Sequence, residues 1–130
     1  MFQHIFKLLI SLLFMEDCIF CKIVKGEIPS EKIYENDNFF CILDISPIAE
    51  GHTLIIPKKH FETILDIPDN LGPELLEAIK KISLDLIKEG KAEGFNIIQS
   101  NKEVAQQEVP HAHFHIIPRK KDDRRNWKFG

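Results

Sequence analysis

The sequence has no excess of basic residues, and this limits the partners it can serve. Its 17 lysines and arginines are outnumbered by 20 aspartates and glutamates, which gives a formal net charge of −3. Binding surfaces for nucleic-acid polymers usually carry a basic surplus, so no such polymer is the expected partner. A small phosphate compound remains compatible with this composition, because it needs only a local cluster of hydrogen-bond donors.

Cysteines are few, and no hydrophobic run is long. Three cysteines are an odd number, which argues against a disulfide framework. The apolar run within residues 1–14 is shorter than the about 20 residues that span a bilayer, and no small-residue cleavage site follows it. We therefore expect a cytoplasmic chain without membrane contact. Residues 1–14 are predicted to be an N-terminal extension or a start-site artefact, and residues 15–130 a single domain.

Linkers, repeats and low-complexity tracts are also absent between Cys18 and Arg119. Runs rich in β-branched and aromatic residues predict five strands, at Lys32–Glu35, Phe39–Leu43 and residues 52–57, 94–100 and 111–117. Apolar residues at helical spacing predict one long helix, with Pro73 in its first turn and Gly90 at its C-terminal cap. A shorter helix is expected over residues 61–65. The short connections favour antiparallel pairing, so the predicted fold class is α+β with a mostly antiparallel five-stranded sheet.

Three histidines alternate with apolar residues near the C-terminal end, at His111, His113 and His115. Alternate side chains of a strand share a face, so the three imidazoles are expected on one face and the residues between them on the core side. Mutual repulsion disfavours protonation, and at least one ring is expected to be neutral near pH 7. A neutral imidazole can act as a nucleophile toward phosphorus or as a metal ligand. The alternative is a histidine-rich surface strand without chemistry.

This pattern resembles the signature of the histidine triad (HIT) family of nucleotide-binding proteins. Further segments resemble that family in the same order along the chain: residues 18–23, 26–30, 43–47, 51–60 and 107–119. The resemblance implies a HIT-like sheet with one long and one or two short helices. It also implies a homodimer in which strands of two subunits form one continuous sheet and the long helices pack together.

The resemblance implies hydrolysis of nucleoside phosphoramidates or related nucleotidyl compounds through a covalent nucleotidyl-histidine. In that mechanism His113 attacks the α-phosphorus, and His115 serves the phosphate or the leaving group. Two alternatives within the family stay open, a dinucleoside polyphosphate hydrolase and a nucleotide-binding scaffold with little turnover. A zinc-stabilised interaction module without nucleotide affinity is a third.

The implied ligand is a purine nucleoside monophosphate or one of its conjugates. Asp44 matches the family's ribose contact, and Asn101 and Gln107 match polar phosphate contacts. The positions that sandwich the base match four apolar residues, Ile19, Phe20, Ile23 and Ile45. The competing interpretations are a turn residue before Pro47 for Asp44, loop polarity for the amides and core packing for the apolar residues.

Two departures from the family pattern concern the phosphate site. The loop over residues 102–106 often carries glycines in this family, which let backbone amides approach phosphate, but here it has none. Lys102 is a candidate substitute through its charge. Glu108 stands where some members have serine, and its carboxylate would repel phosphate unless it is protonated or turned toward the leaving group.

The Cys18-x-x-Cys21 pair indicates metal or redox chemistry in a disulfide-poor chain. The resemblance adds His60 and His111 to it and implies a structural Zn²⁺ held by two thiolates and two imidazoles, with no open position. The alternative is a reduced pair without metal. Cys41 is expected to be a buried core thiol. His52 is expected to begin a strand and make a hydrogen bond, and the sequence assigns it no role.

Overall fold

The computed structural model describes residues 17–123 of the chain. The helices there are α1 (Ile19–Val24) and α2 (Gly72–Lys88), with short 3-10 turns at Ile64–Asp66, Asp69–Leu71 and Glu103–Ala105. The strands are β1 (Lys32–Glu35), β2 (Phe39–Leu43), β3 (Thr53–Pro57), β4 (Gly94–Ile98) and β5 (Phe114–Arg119). No helix in this described range combines the length and hydropathy needed to cross a membrane. The predicted extension over residues 1–14 lies outside the described residues.

The five strands form one sheet in the order β1-β2-β3-β5-β4, and every neighbouring pair is antiparallel. The predicted α+β class with an antiparallel five-stranded sheet is confirmed. Strand β5 lies inside the sheet, where His115 is paired with Leu54 of β3 on one side and Ile98 of β4 on the other. A side chain on β5 is therefore held by two neighbouring strands and has a fixed direction.

Helix α2 covers one face of the sheet. Its residues Ala78, Ile82 and Leu86 pack on a buried layer from three strands, which includes Phe114, Ile116 and the core thiol Cys41. Burial raises the pKa of Cys41 to about 12, so it is a neutral thiol there, as expected from the sequence. The helix has the predicted proline in its first turn, and its C-terminal cap is Glu89, one residue before Gly90.

Within the described range, helix α1 packs on part of the opposite face of the sheet. Phe20 and Ile23 of this helix pack against Ile42, Leu54 and Ile56 of strands β2 and β3. Because side chains alternate along a strand, His115 of β5 lies on this face while its neighbours Phe114 and Ile116 lie under α2. Any site that uses this histidine must lie beside α1.

The prediction for the last strand was wrong at its start, because β5 begins at Phe114 instead of residue 111. The amide of His111 donates to the carbonyl of Val109 at 2.8 Å, and the amide of Ala112 donates to the carbonyl of Phe61 at 2.6 Å. These hydrogen bonds take residues 111–113 out of the sheet ladder. The triad therefore straddles a strand end, with only His115 inside the strand.

The prediction of a short helix over residues 61–65 was also wrong in kind. The structure has a single 3-10 turn there, Ile64–Asp66, with Thr63 and Asp66 forming a reciprocal capping box. Among residues 17–123, the short α-helix is α1 instead. Six residues are too few to show a helical period in the sequence, so their helix could not be located from the pattern alone.

Candidate active site and metal centre

A cavity of about 590 Å³ opens beside α1, and we call it the nucleotide cavity after the ligand that the sequence resemblance implies. It brings together seven of the residues proposed from the sequence, namely Ile19, Phe20, Ile23, Asp44, Ile45, His113 and His115. Phe20 and Ile23 are buried, as expected for core packing, but Ile19 is 40 % and Ile45 90 % exposed. The two exposed isoleucines are apolar surface at the cavity that the protein itself leaves uncovered.

Asp44 is the turn residue that one interpretation expected, and its ribose contact stays a prediction. Its Oδ1 accepts the amide of Ser46 at 2.8 Å, which makes it a turn residue. Its Oδ2 lies 3.5 Å from Nε2 of His52, and the side chain lines the nucleotide cavity. The turn bond holds one oxygen in place and aims the carboxylate into the cavity.

His113 is a buried ring whose protonation pattern follows from one hydrogen bond. Its Nδ1 lies 2.8 Å from the carbonyl oxygen of His111, and a carbonyl can only accept, so Nδ1 carries the proton. Burial lowers the pKa of His113, although the carbonyl and the charges of Asp44 and Glu108 oppose that shift. The ring is therefore neutral near pH 7, with a lone pair on Nε2.

His115 receives its tautomer from a chain of contacts that begins at the backbone. The amide of Ile48 donates to Nδ1 of His52 at 3.1 Å, so the proton of a neutral His52 must be on Nε2. That nitrogen lies 2.9 Å from Nδ1 of His115 and donates to it. Burial, together with the nearby His113 and His52, lowers the pKa of His115 to about 4. Neutral His115 consequently carries its proton on Nε2.

His52 is the functional candidate that sequence reasoning missed. It is 2 % exposed, and the turn before it is shaped by Gly51, whose φ of +91° favours glycine. A side chain at Gly51 would also meet Leu86 Cδ2 at 2.6 Å. The signal that could have found His52 was its place in the 51–60 segment that resembles the family.

Asp44, His52 and His115 also lie close enough to form a possible metal group. Their hydrogen bonds argue against that use. A metal would have to replace the proton on Nε2 of His52 while Nδ1 stays occupied by the Ile48 amide, which leaves an imidazolate. We therefore interpret this cluster as a hydrogen-bonded chain.

A second cluster, the cysteine–histidine cluster, consists of Cys18, Cys21, His60 and His111, whose ligand atoms all lie within 4.8 Å of one another. The Nδ1 atom of His111 lies 3.2 Å from Cys18 Sγ and 3.5 Å from Cys21 Sγ, and His60 Nδ1 lies 3.3 Å from Cys21 Sγ. A tetrahedral zinc with bonds of about 2.0 to 2.3 Å holds its ligands roughly 3.3 to 3.8 Å apart. The four side chains fit such an ion.

The surroundings of the cysteine–histidine cluster also suit a metal. The carbonyl oxygen of Pro57 lies 2.9 Å from Nε2 of His111 and accepts a hydrogen bond from it. The proton of neutral His111 is therefore on Nε2, and the Nδ1 lone pair faces the thiols. Burial lowers the pKa of His111 to about 4 and also lowers that of His60, which keeps both rings neutral as ligands require. Burial and the neighbouring Cys18 raise the pKa of Cys21 to about 12, so metal binding must release a proton there.

The loop over residues 102–106 adopts a glycine-like backbone without glycine. Lys102 has a φ of +74° and Gln106 a φ of +70°. Gln107 braces the loop, because its Oε1 accepts the Lys102 amide at 2.7 Å and its Nε2 donates to the Glu62 carbonyl at 2.7 Å. Two residues of this loop therefore adopt a φ that favours glycine, and the approach of its amides to phosphate stays a prediction.

The two amides proposed for phosphate contact lie outside the lining of the nucleotide cavity. The side chain of Asn101 accepts the amide of Ile64 at 2.8 Å and is paired with Gln99, while Gln107 braces its own loop. Their contact with phosphate stays a prediction. Gln106 and Glu108 line the nucleotide cavity in that region.

Comparison with known proteins identifies the family. The model of the HIT domain matches residues 25–122, and the chain belongs to this family. An uncharacterized HIT-like protein of Methanocaldococcus jannaschii is 45 % identical over 113 residues, covering 87 % of each chain. Adenosine 5′-monophosphoramidase of Candida albicans is 48 % identical over 107 residues, covering 79 % of this chain and 70 % of the relative.

Two solved structures show the same fold. A zinc-bound histidine triad family protein from Mycobacterium smegmatis superposes with a TM-score of 0.79 at 37 % identity, covering 84 % of this chain and 79 % of its own. A HIT family hydrolase from Legionella pneumophila gives a TM-score of 0.69 at 36 % identity, covering 81 % and 95 %. The resemblance seen in the sequence is confirmed.

Proposed function

We propose that this protein is a nucleotide phosphoramidase that hydrolyses purine nucleoside 5′-phosphoramidates through His113. The observation that carries the proposal is the state of this ring. It is buried and neutral, its Nδ1–H is held by the His111 carbonyl, and its Nε2 lone pair has no partner among residues 17–123. The expectation of an enzyme of the hydrolase class is confirmed by the relatives, which include a monophosphoramidase and a HIT family hydrolase.

The proposed reaction has two displacements at phosphorus. In the first, the Nε2 lone pair of His113 forms a bond to the α-phosphorus, and the phosphorus–nitrogen bond to the leaving amine breaks. The amine nitrogen takes the electron pair and a proton. In the second, water attacks the same phosphorus, the bond to His113 breaks, and the nucleoside monophosphate leaves. The attacking water gives up one proton, which replaces the proton taken by the amine, and its hydroxyl stays on phosphorus. The sum is hydrolysis of the phosphorus–nitrogen bond.

His115 is the proposed donor at this centre. Its Nε2 carries a proton because Nδ1 accepts from His52, so this atom can donate to a phosphoryl oxygen or toward the leaving group. Stabilising the oxygens as their charge redistributes is the main requirement of phosphoryl transfer. The hydrogen bond from the Ile48 amide to Nδ1 of His52, and that from Nε2 of His52 to His115, are proposed to maintain the required tautomer.

The nucleoside is proposed to bind in the nucleotide cavity. Asp44 can accept from the ribose hydroxyls through Oδ2, and the exposed faces of Ile19 and Ile45 can cover a base. Purine is the proposed base because of the adenosine phosphoramidase relative. Asn101 and Gln107 are proposed to bind phosphate only if their present hydrogen bonds open.

The metal and the oligomeric state belong to the same proposal. A Zn²⁺ in the cysteine–histidine cluster would have four protein ligands and a structural role. It would link the start of α1 to His111, the first of the three alternating histidines. A homodimer is supported by the edge strand β4, where Phe95 is 38 % and Ile97 50 % exposed, and by Leu76 on α2, which is 56 % exposed. These apolar side chains lie on the face opposite the nucleotide cavity.

A second candidate is suggested by one relative. Adenylylsulfatase of Arabidopsis thaliana is 42 % identical over 107 residues, covering 82 % of this chain and 54 % of its own length. The same nucleophile would serve a sulfate or polyphosphate leaving group. The carboxylate of Glu108 beside the nucleotide cavity favours an amine over these anions.

The proposal is tested by turnover of adenosine 5′-phosphoramidate and by rapid quenching of the reaction. We expect release of adenosine monophosphate and an adduct on His113 that is labile in acid and stable in base. Binding of adenosine monophosphate without turnover would identify the scaffold alternative. An adduct on another residue would exclude His113 as nucleophile, and a lack of nucleotide binding would favour the interaction module.

A further inference from the structure

A second and larger depression, of about 1000 Å³, adjoins the nucleotide cavity, and we call it the acidic cavity. Its lining includes Glu62, Lys102, Glu103 and Glu108. Gln106 and Glu108 line both cavities and therefore form the wall between them. A molecule too large for the nucleotide cavity would pass across these two side chains into the acidic cavity.

The charges of the acidic cavity do not balance. Lys102 Nζ lies 3.6 Å from Glu62 Oε1, so these two opposite charges offset each other. Glu103 and Glu108 have no salt-bridge partner among residues 17–123, and both side chains are exposed. The acidic cavity thus has an excess of two carboxylates. Glu108 lies in the wall between the two cavities, and Glu103 lines the acidic cavity alone.

The reacting centre lies on the other side of that wall. His113 is only 8 % exposed and lines the nucleotide cavity, and its Nε2 has no hydrogen-bond partner in the described chain. In a phosphoryl transfer the attacking and leaving atoms are roughly in line across phosphorus. Gln106 and Glu108 line the same cavity as His113, and the charge of Glu108 acts on the His113 ring. A leaving group displaced by His113 is therefore within the influence of the Glu108 carboxylate.

We propose that Glu103 and Glu108 select leaving groups that carry a positive charge, so that the preferred substrates are nucleoside phosphoramidates of cationic amines such as alkyl diamines. This inference rests on the proposed phosphoramidase function and names its substrate class. A second ammonium a few ångströms beyond the scissile bond reaches the excess carboxylates. A leaving group with a sulfate, phosphate or carboxylate meets the same charges as repulsion.

The expected size of the effect is modest, because both carboxylates are exposed to solvent. Interactions of one exposed charge pair change an equilibrium by up to about fivefold. They are also screened over a Debye length of about 8 Å at physiological salt. The selection should therefore appear as a graded preference that weakens as salt is added.

The test compares three adenosine 5′-phosphoramidates with leaving groups of equal length, made from butylamine, diaminobutane and aminobutanoate. For the wild-type protein we expect kcat/KM to be about fivefold higher for the diaminobutane conjugate than for the butylamine conjugate, and about fivefold lower for the aminobutanoate conjugate. In Glu103→Gln/Glu108→Gln the cationic-to-anionic ratio should fall to near one. The ratio within one protein sample does not depend on how much of that sample is folded.

Glu89→Gln is the matched control, because Glu89 caps α2 on the opposite face of the sheet and is 54 % exposed. It removes one exposed carboxylate, which is half the charge removed in the double variant, from a place outside both cavities and should leave the ratio unchanged. Equal turnover of all three conjugates by the wild type would overturn the inference while leaving the phosphoramidase proposal intact. Persistence of the preference in the double variant would also overturn it. Failure to hydrolyse any conjugate would remove the proposed function and this inference with it.

Discussion

His111 on one side, and His113 and His115 on the other, are the same type of residue in different surroundings. His111 is fully buried, with one nitrogen facing two thiols and the other held by the Pro57 carbonyl. His113 and His115 have one nitrogen held by the protein and line an open cavity with the rest of the ring. The surroundings of the second nitrogen thus distinguish His111, which faces two thiols, from His113 and His115, which line a cavity, although neighbouring histidines are only two positions apart.

The largest effect is expected for the substitution of His113. His113→Ala should reduce turnover of adenosine 5′-phosphoramidate by at least about a thousandfold, because it removes the covalent nucleophile. Adenosine monophosphate should still bind, since Asp44 and the apolar cavity wall remain. Steady-state kinetics and calorimetry on the same sample measure both. Turnover within tenfold of wild type would show that the chemistry uses another residue.

The next effect concerns the cysteine–histidine cluster, which contains His111. Cys21→Ala should lower bound zinc from about one ion per chain to near zero and reduce the thermal stability with it, because a four-ligand site loses a thiolate. Elemental analysis and calorimetric unfolding measure the two quantities. Cys41→Ala is the matched control, a buried thiol under α2 whose loss should cost about 1 kcal/mol of packing and no metal. Metal-free wild-type protein of unchanged stability would contradict a structural zinc.

A smaller effect is expected for His52, which accepts a hydrogen bond from the Ile48 amide and donates one to His115. His52→Leu should lower kcat by about ten- to a hundredfold, because His115 loses the donor that holds its proton on Nε2. His52→Gln should retain more activity, since an amide can still donate to Nδ1 of His115. Nitrogen chemical shifts of the His115 ring report the tautomer directly. An unchanged tautomer in His52→Leu would show that the chain through Ile48 does not set it.

The smallest effect concerns the loop over residues 102–106, whose Gln106 lines the nucleotide cavity. Gln106→Gly should raise the free energy of unfolding by about 0.5 to 1 kcal/mol, because glycine adopts its positive φ without a steric cost. Ala105→Gly is the neighbouring control and should lower it by a similar amount, since Ala105 has no positive φ and glycine adds chain entropy to the unfolded state. Denaturant unfolding of both variants gives the comparison. Stabilisation by neither glycine would indicate that the loop is unstrained.

Much of the fold was predictable because its signals are local. The five β-rich runs, the helical spacing from Leu75 to Leu86 and the flanking Pro73 and Gly90 act within a few residues, and each lies close to where the structure has the element. The errors occurred where distant parts of the chain compete with the local pattern. The Phe61 carbonyl takes the Ala112 amide, and so strand β5 starts three residues later than the alternation alone predicts.

The order of residues along the chain supplies the chemistry: a Cys-x-x-Cys pair, three alternating histidines and an aspartate after a strand. The surroundings of each of them depend on the folded structure. Cys18 and His111 meet across 93 positions of sequence, and the tautomers of His113 and His115 depend on a carbonyl and on an amide four residues before His52. Residue types and short spacings can be read along the chain. The tautomer of His113 depends on the backbone two residues before it, whereas those of His111 and His115 depend on Pro57 and His52, which are 54 and 63 positions away and meet these rings only in the folded protein.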